Sequence, residues 1–552
     1  PHRTYKPFYT LCSFPDTNRA ASSTAQKPDS VEVLKVQGYR MNIEVRKNGE
    51  IKGDARVTLT PAVRYFRYLS FGLYNELRVD SVQTVAGDTL TFIQEKDQGS
   101  FGVVLPDSLP EQTLRICYTG KALRQTDGEY SLRNNLYWYP RLGYLIPATY
   151  DVTYRFPRSL KLVATGRLVE QKSEDRALVS RWVEETPSMG AAFTVGDFDT
   201  SSFRRDDRPL SIYSRRNRPK SMRRHIGGDV QNSLYIFEQL LGGLPYHQVR
   251  VAEIAGNVSF GFPGLLFLSS ITFQQELEGV MEALRGHEAS HQWWGNVVGW
   301  KTYRDQWLSE GLAEYCGALI AEFLLDGDRT FFQILRGWQN DLLEKGHIGV
   351  SVGLQRFGFS KSDLATSDGL RAGPIYLGRR LGEKHPVDYY LITYEKGAYV
   401  IHMLRTLLRD FTTGSDERFW QMLADFVHTY RGKKASTEDF KRIVEKHAAQ
   451  NMDWFFDQWV YGIQVPTYLY STQLAEESGK YWVDLTVRQE DVPPTFRMPV
   501  PVGIELQDGE HRTRLVEMTG AQKAFRLGPF TSRPQRIFFN DFAGVLARVK
   551  KE

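Results

Sequence analysis

Three features are scarce in this sequence: cysteine, long apolar runs and an excess of charge of one sign. The 552-residue chain has only three cysteines, Cys12, Cys117 and Cys316. Their odd number and wide spacing exclude a disulfide framework and a zinc–thiolate site, so unpaired thiols are predicted. No apolar run reaches the ~18 residues of a membrane-spanning helix, and no transmembrane segment is predicted. The net charge of +5 is small for this length and argues against a nucleic-acid partner.

The pattern of apolar residues changes along the chain, which is too long for one hydrophobic core. Small polar residues come first. A stretch in which apolar and polar residues alternate follows, with a hairpin signal at Asn48-Gly49. Apolar residues then recur at helical spacing, and the alternation of apolar and polar residues returns near the end. The expected fold class is multidomain α+β. The predicted parts are a flexible tether at 1–30, an N-terminal antiparallel β domain at 31–205, a mostly helical domain at 206–461 and a C-terminal β-sandwich at 462–552.

A histidine pair at helical spacing is the strongest chemical signal. His287 and His291 lie in the segment Val280–Trp294, whose apolar spacing predicts a helix. Residues i and i+4 share a helix face, so both imidazoles can reach one metal ion. Glu288, next to the first histidine, is the candidate general base that takes a proton from metal-bound water. The alternative is a pair of surface histidines on an ordinary helix.

A catalytic zinc site needs three protein ligands and an open position, so one ligand is still missing. Glu310 is the candidate, on a helix expected to begin near a capping box formed by Thr302 and Asp305. Two antiparallel helices can bring this glutamate beside the histidines. Glu314, one turn further on, either orients a ligand from behind or is an ordinary helix-face carboxylate. One zinc ion per chain is predicted.

Four segments match the motifs of a known family: 287–296 (HEASHQWWGN), 307–313 (WLSEGLA), 394–398 (YEKGA) and 453–460 (DWFFDQWV). The chain thus resembles the M1 zinc metallopeptidases, which are gluzincins and mostly aminopeptidases. The resemblance implies a thermolysin-like zinc domain between a β domain and a β-sandwich, without the large C-terminal helical domain of many members. It assigns to Tyr394 the stabilisation of the oxyanion of the tetrahedral intermediate. Ser309 stands where the family has asparagine.

One departure from the family concerns substrate binding. The family's exopeptidase loop reads Gly-x-Met-Glu-Asn, and its glutamate binds the free α-amine of the substrate. Aligned on the following Gly264-Leu265, this chain has Gly261 in place of that glutamate, followed by Phe262. The resemblance therefore implies altered recognition of the substrate N-terminus, and the glycine is expected to widen the cleft. Glu253 is the candidate for a replacement carboxylate.

The expected function is hydrolysis of peptide bonds in a peptide or protein substrate, by a metallopeptidase that is aminopeptidase-like with altered specificity. Two alternatives stay open: a non-catalytic protein that binds peptides or proteins with the same fold, and a hydrolase of a non-peptide electrophile. The chain begins with Pro1 rather than Met. This start predicts removal of an upstream segment, and the compartment stays open, with an extracytoplasmic location as one alternative.

Overall fold

The computed structural model describes most of the chain. The described residues are 34–61, 67–105, 112–126, 128–143, 145–205, 208–273, 279–325, 328–344, 359, 361–383 and 385–552. The predicted tether at 1–30 and Cys12 lie outside them. Among the described residues, Cys117 and Cys316 are free thiols, as predicted. No helix within these ranges is long and apolar enough to cross a membrane.

The N-terminal part consists of β-strands. They are β1 (Leu34–Val45), β2 (Glu50–Pro61), β3 (Tyr68–Gly72), β4 (Leu77–Thr84), β5 (Phe92–Ile93), β6 (Ser100–Val104), β7 (Gln112–Lys121), β8 (Leu123–Thr126), β9 (Glu129–Leu132), β10 (Arg141–Leu142), β11 (Ala148–Pro157), β12 (Lys161–Ala164), β13 (Arg167–Glu174), β14 (Ala177–Ser188) and β15 (Phe193–Gly196). The main sheet has seven strands in the order β13-β14-β11-β1-β2-β7-β4. Two four-stranded sheets, β10-β3-β6-β5 and β12-β15-β9-β8, complete this part.

The predicted hairpin at Asn48-Gly49 joins β1 and β2. Asn48 Oδ1 accepts a hydrogen bond from the Glu50 amide (3.1 Å), and Gly49 has φ +81°, which glycine adopts without strain. The main sheet is not purely antiparallel, however, because β1 pairs with β11 in parallel. A long crossover brings β11 back beside β1, and hairpin signals alone do not reveal such a pairing.

The middle part is mostly helical. Its helices are α1 (Lys220–Leu241), α2 (Val280–Ser290), α3 (Trp307–Leu324), α4 (Asp328–Leu343), α5 (Lys361–Thr366), α6 (Pro386–Tyr390), α7 (Gly397–Leu408), α8 (Glu417–Tyr430), α9 (Thr437–Ala448) and α10 (Asp453–Trp459). Its strands are β16 (Phe198–Arg205), β17 (Arg208–Arg215), β18 (Val249–Ile254), β19 (Phe260–Phe262), β20 (Leu265–Ser269), β21 (Val298–Trp300) and β22 (Lys433–Ala435). Short 3-10 segments cover Ser270–Phe273, Gly369–Ala372 and Ile375–Gly382, and a π-helical turn covers Leu391–Lys396.

A five-stranded sheet, β16-β17-β18-β20-β19, carries the helices of the middle part, and β19 is its edge. Both faces of its central strands are buried. Val251 and Leu266 lie in the core shared with the helices, whereas Ala252 and Phe267 lie in the core of the N-terminal sheets. This double burial explains why the sequence around 258–273 is so continuously apolar.

Helix α3 begins at Trp307, later than the capping signal predicts. Thr302 and Asp305 do interact, since the Thr302 hydroxyl donates to Asp305 Oδ2 (2.7 Å). They form a separate turn before the helix, in which the other carboxylate oxygen of Asp305 accepts from the amide and hydroxyl of Thr437 at the start of α9. A long-range contact therefore replaces the predicted cap.

The C-terminal part is a pair of packed sheets. Its strands are β23 (Thr467–Glu477), β24 (Lys480–Glu490), β25 (Arg497–Leu506), β26 (His511–Thr519), β27 (Gln522–Phe530), β28 (Pro534–Phe539) and β29 (Arg548–Lys551), with a 3-10 turn at Asp541–Ala543. The sheet orders are β27-β24-β23-β29 and β26-β25-β28, and their buried residues join the core of the helical part. The prediction of a multidomain α+β fold with a terminal sandwich is confirmed.

Candidate active site

His287 and His291 face each other at the C-terminal end of α2, with 3.1 Å between their Nε2 atoms. His287 Nδ1 lies 2.8 Å from Glu314 Oε2, and His291 Nδ1 lies 2.9 Å from the carbonyl oxygen of Trp294. Both partners are acceptors, so each Nδ1 carries a proton, and each neutral imidazole presents a lone pair on Nε2. Two lone pairs at this distance repel each other unless a proton or a metal ion lies between them.

Glu310 completes the cluster from the first turn of α3. Its Oε2 atom lies 3.4 Å from His291 Nε2 and 3.8 Å from His287 Nε2. Ligand atoms around tetrahedral zinc are about 3.3 Å apart, given bonds of about 2.0–2.1 Å. The three atoms match this spacing, and two imidazoles with one carboxylate are a donor set that zinc accepts. The residues therefore fit a zinc ion.

The electrostatics of the cluster also favour positive charge at this point. Burial lowers the pKa of His291, but the attraction of Glu310 outweighs burial and raises this pKa to about 9. Burial conversely raises the pKa of Glu310, but the attraction of His291 outweighs it and lowers the pKa to about 2. Each group thus stabilises the charged form of the other inside the protein.

Glu314 stands behind His287, as one of the two readings of its position predicts. Its Oε2 atom lies 2.8 Å from His287 Nδ1, and its Oε1 atom accepts from the Tyr390 hydroxyl (3.4 Å). Such a partner fixes the tautomer and the direction of a ligating imidazole. The structure therefore favours the orienting role over an ordinary surface carboxylate.

Three further positioning groups are not visible in the sequence pattern. The Trp294 carbonyl is a backbone acceptor, for which no residue type is diagnostic. Ser309, the departure from the family's asparagine, donates to this same carbonyl (3.2 Å) and lies 3.4 Å from His291 Nδ1. Gln306 Nε2 donates to Glu310 Oε1 (3.4 Å) from one turn earlier. Only the fold brings these groups to the cluster.

Glu288 and Tyr394 lie at the same centre. Glu288 is buried, and its negative charge contributes to the raised pKa of His291. Tyr394 sits in the π-helical turn before α7, a conformation that often occurs at functional sites. Its ring is parallel to that of His287, with 6.1 Å between the ring centroids. The structure thus brings both residues beside the proposed metal ligands.

Gly261 lies on the edge strand β19 and packs directly against the C-terminal end of α2, the helix that carries the two histidines. A Cβ at this position would lie 2.6 Å from His291 Cβ and 3.0 Å from the carbonyl oxygen of Glu288. Asn296 Nδ2 donates to the carbonyls of both Gly261 (3.1 Å) and His291 (2.8 Å). The expectation that glycine widens the cleft is therefore wrong, because its missing side chain lets strand and helix touch.

Two of the predicted substrate-binding residues lie elsewhere. Phe262 is buried in the N-terminal core, where its ring packs on Phe267. Glu253 is fully buried two strands from Gly261, about 10 Å away at the usual strand spacing. Its Oε1 accepts from Arg218 (2.7 Å) and its Oε2 from the Arg215 amide (3.1 Å). These contacts argue against Glu253 as a replacement amine anchor.

Lys396 closes the π-helical turn and is completely buried. Its ammonium donates to the carbonyl of Gly462 (2.9 Å), just after the last helix of the middle part. Burial lowers the pKa of Lys396 from its ordinary 10.5 to about 7. The lysine therefore fastens the turn that carries Tyr394.

Comparisons with known proteins agree with this geometry. The model of the Peptidase family M1 domain matches residues 256–348 and 381–459, which include the metal cluster and Tyr394. Aminopeptidase M1-A of Oryza sativa subsp. japonica is 24% identical over 329 residues, which are 56% of this chain and 34% of that protein. Aminopeptidase N of Mus musculus is 24% identical over 372 residues, which are 61% of this chain and 35% of that protein. The chain thus spans about a third of the length of these relatives.

Two solved structures share the fold. Legionella pneumophila aminopeptidase A, in complex with aspartic acid, has a TM-score of 0.71 and 14% identity, over 95% of this chain and 60% of that one. An M1 zinc metallopeptidase from Deinococcus radiodurans has a TM-score of 0.62 and 20% identity, over 78% of this chain and 95% of that one.

Proposed function

We propose that this chain is a zinc metallopeptidase that hydrolyses peptide bonds, and the match of residues 256–348 and 381–459 to the model of the Peptidase family M1 domain supports this proposal. The observation that carries the proposal is the convergence of two imidazole lone pairs and one carboxylate, from His287, His291 and Glu310, at the spacing of zinc ligands. The alternative of ordinary surface histidines does not account for it, since all three groups are buried or half-buried.

A zinc ion held by His287, His291 and Glu310 would polarise the scissile carbonyl and lower the pKa of the attacking water. Proton transfer and stabilisation of the oxyanion are assigned to side chains of this chain. Glu288 accepts a proton from that water and passes it to the leaving amine. The Tyr394 hydroxyl donates a hydrogen bond to the oxyanion as the carbonyl becomes tetrahedral. Glu314 and the Trp294 carbonyl keep both Nε2 lone pairs aimed at one point throughout.

The test separates metal binding from catalysis. The Glu288→Gln variant should keep about one zinc per chain and lose nearly all peptide hydrolysis, because the ligands remain and the base does not. His291→Ala should lose the metal itself. Glu344→Gln, at an exposed position just after the end of α4, is the matched control and should behave as wild type. Near-normal activity of Glu288→Gln would contradict the mechanism.

The same assay decides between the proposal and its two alternatives. A zinc-loaded wild-type protein that binds peptides without cutting any member of a diverse library would be the non-catalytic binding protein. Turnover of esters or epoxides without any peptide cleavage would identify a hydrolase of non-peptide electrophiles.

We also propose that the enzyme recognises the substrate N-terminus differently from a typical aminopeptidase. Gly261 supplies no carboxylate, the helix fills the space of its side chain, and Glu253 is engaged by two arginines. A free α-amine therefore lacks its usual partner at this strand. A peptide and its N-acetylated twin should have kcat/KM values within about threefold of each other, since one lost charge pair is otherwise worth tenfold or more. Abolition of cleavage by acetylation would refute this.

A further inference from the structure

A cluster of arginine and tyrosine side chains lies on the surface next to Glu310. We call it the arginine face, and it consists of Tyr303, Arg304, Tyr376, Arg379 and Arg380. The Arg304 guanidinium lies over both tyrosine rings, 5.1 Å from the Tyr303 centroid and 4.7 Å from that of Tyr376. Arg380 lies 5.6 Å from the Tyr303 centroid on the 3-10 segment at Ile375–Gly382.

The arginine face is linked to the proposed metal site through one side chain. Arg379 Nε donates to Gln306 Oε1 (2.9 Å), and Gln306 Nε2 donates to Glu310 Oε1 (3.4 Å). These two bonds and the width of an amide place Arg379 Nε at most about 9 Å from Glu310 Oε1, the carboxylate oxygen that faces away from the histidines. That distance is less than about three residues of an extended peptide. A peptide bound at the proposed metal site is therefore long enough to extend to this face.

Two arginines of the face, Arg304 and Arg380, are not neutralised by a carboxylate of the described residues. Within the part of the chain that the structure describes, neither Arg304 nor Arg380 has a carboxylate oxygen within 4.0 Å. Other partly buried arginines do: Arg405, for example, is paired with Glu322 and Asp416. The contrast shows that arginines elsewhere in the same helical part carry structural ion pairs.

Two acidic residues of the surrounding segments, Asp305 and Glu438, already have partners. Both oxygens of Asp305 are held by Thr302 and Thr437, as described above. Glu438 accepts from the Tyr461 hydroxyl (2.6 Å) and pairs with Lys441 (2.9 Å). Neither carboxylate is directed at Arg304 or Arg380, so two guanidinium groups remain available to an external anion.

The contacts with the tyrosine rings hold the guanidinium groups of Arg304 and Arg380 in an orientation that suits a carboxylate. A guanidinium that lies over aromatic rings is held in one plane while the N–H groups at its edge stay open. A planar fork of this kind binds a carboxylate through two parallel hydrogen bonds. Inorganic anions and phosphate offer the same chemistry, but a peptide is the ligand that the neighbouring metal site brings to this place.

We propose that the arginine face binds a carboxylate of the substrate within about three residues of the scissile bond. The inference rests on the proposed peptidase function and specifies its substrate class: peptides that are acidic on the side of Glu310. The carboxylate can be an Asp or Glu side chain or the C-terminus of a short peptide. These two sources present the same group and are separated by experiment.

The first experiment compares matched peptides on the zinc-loaded wild-type enzyme. One series carries Glu or Gln at each of the three positions on either side of the scissile bond, and a second ends in a free acid or an amide. At low salt, one position should show about a tenfold higher kcat/KM for the charged member, and added salt should reduce the ratio. A ratio near one at every position and at both C-termini would overturn the proposal.

Variants then assign the preference to the arginine face. Arg304→Gln and Arg380→Gln should move the Glu/Gln ratio towards one, whereas Arg304→Lys should keep part of it, since it retains the charge without the planar fork. Arg514→Gln removes an exposed arginine from β26 in the sandwich and should keep the wild-type ratio. An unchanged ratio in the Arg304→Gln/Arg380→Gln double variant would refute the assignment.

A binding measurement keeps the inference testable if no peptide is cut. Fluorescence anisotropy of labelled Glu-containing and Gln-containing peptides on zinc-loaded Glu288→Gln protein needs no turnover. Preferential binding of the acidic peptide, lost in the double variant, would support the arginine face even where the peptidase proposal fails. Equal binding of both peptides would refute it independently of catalysis.

Discussion

The substitution Gly261→Ala tests the close contact between β19 and α2. Carbon atoms in favourable contact are about 3.5–4.0 Å apart, whereas the new methyl group would lie 2.6 Å from His291 Cβ. Strand and helix must therefore separate by about 1 Å. Overpacking of this kind costs about 1–3 kcal/mol. The separation also strains the Asn296 bonds that tie the two elements together.

Two measurements follow from this geometry. The midpoint of thermal unfolding should fall by about 2–12 °C, at about 2–4 °C per kcal/mol for a domain of this size. The value of kcat/KM should fall by up to about 100-fold, because a displacement near 1 Å in a catalytic site has effects of that order. Zinc content, measured beside the rate, shows whether the ligands are still occupied.

Gly228→Ala provides the control for the effect of a methyl group as such. Gly228 lies inside α1, and nothing stands within 4 Å of its potential Cβ. Alanine there should stabilise the helix by about 0.5–1 kcal/mol and leave the rate unchanged. If Gly261→Ala is as stable and as active as Gly228→Ala, the close approach of strand and helix is not a requirement of the site, and the reasoning fails.

Three other substitutions test the residues around the metal cluster. Glu314→Ala should weaken zinc affinity by about 10–100-fold, because His287 loses the acceptor that fixes its tautomer; competition with a chelator measures this, and an unchanged affinity would contradict the role. Tyr394→Phe should lower kcat by about 10²–10³ and leave KM almost unchanged, as expected for a bond formed in the transition state; steady-state kinetics decides it. Lys396→Met should abolish a pH dependence of stability. The folded pKa of Lys396 is about 7, below the ordinary 10.5, so the unfolded state binds more protons between these values and wild-type stability rises with pH across this window. Urea unfolding at pH 7 and 9.5 should show a smaller gain for the variant than for wild type.

Helix periodicity explains why the metal cluster is predictable from the sequence. Two histidines four residues apart share a face, and a second helix can supply a carboxylate, so His287, His291 and Glu310 follow from local spacing. The fold class follows in the same way, from stretches of alternation and of helical spacing. These features depend on neighbours in the chain, which a single sequence displays.

The remaining features depend on contacts between distant segments. The burial of Glu253 by Arg218 and the packing of Gly261 on α2 arise from strand order, which alternation does not encode. Thr302 and Asp305 form a sequence pattern of a cap, but a partner more than a hundred residues away, Thr437, decides their conformation. The arginine face likewise needs an irregular 3-10 segment beside α3, for which no periodic signal exists.

The burial of both faces of the five-stranded sheet β16-β17-β18-β20-β19 determines whether the middle part of the chain, which carries the proposed zinc site, can fold alone. One face of its strands contributes Ala252, Ile254, Phe262, Leu265 and Phe267 to the N-terminal core. A fragment that begins at β16 would expose these side chains to water, at a cost of about 10 kcal/mol if each large one contributes about 2–3. This cost is comparable with the whole stability of a typical domain. The part of the chain that carries the proposed active site is therefore not an independent folding unit, and proteolytic removal of the β domain should leave a fragment that aggregates.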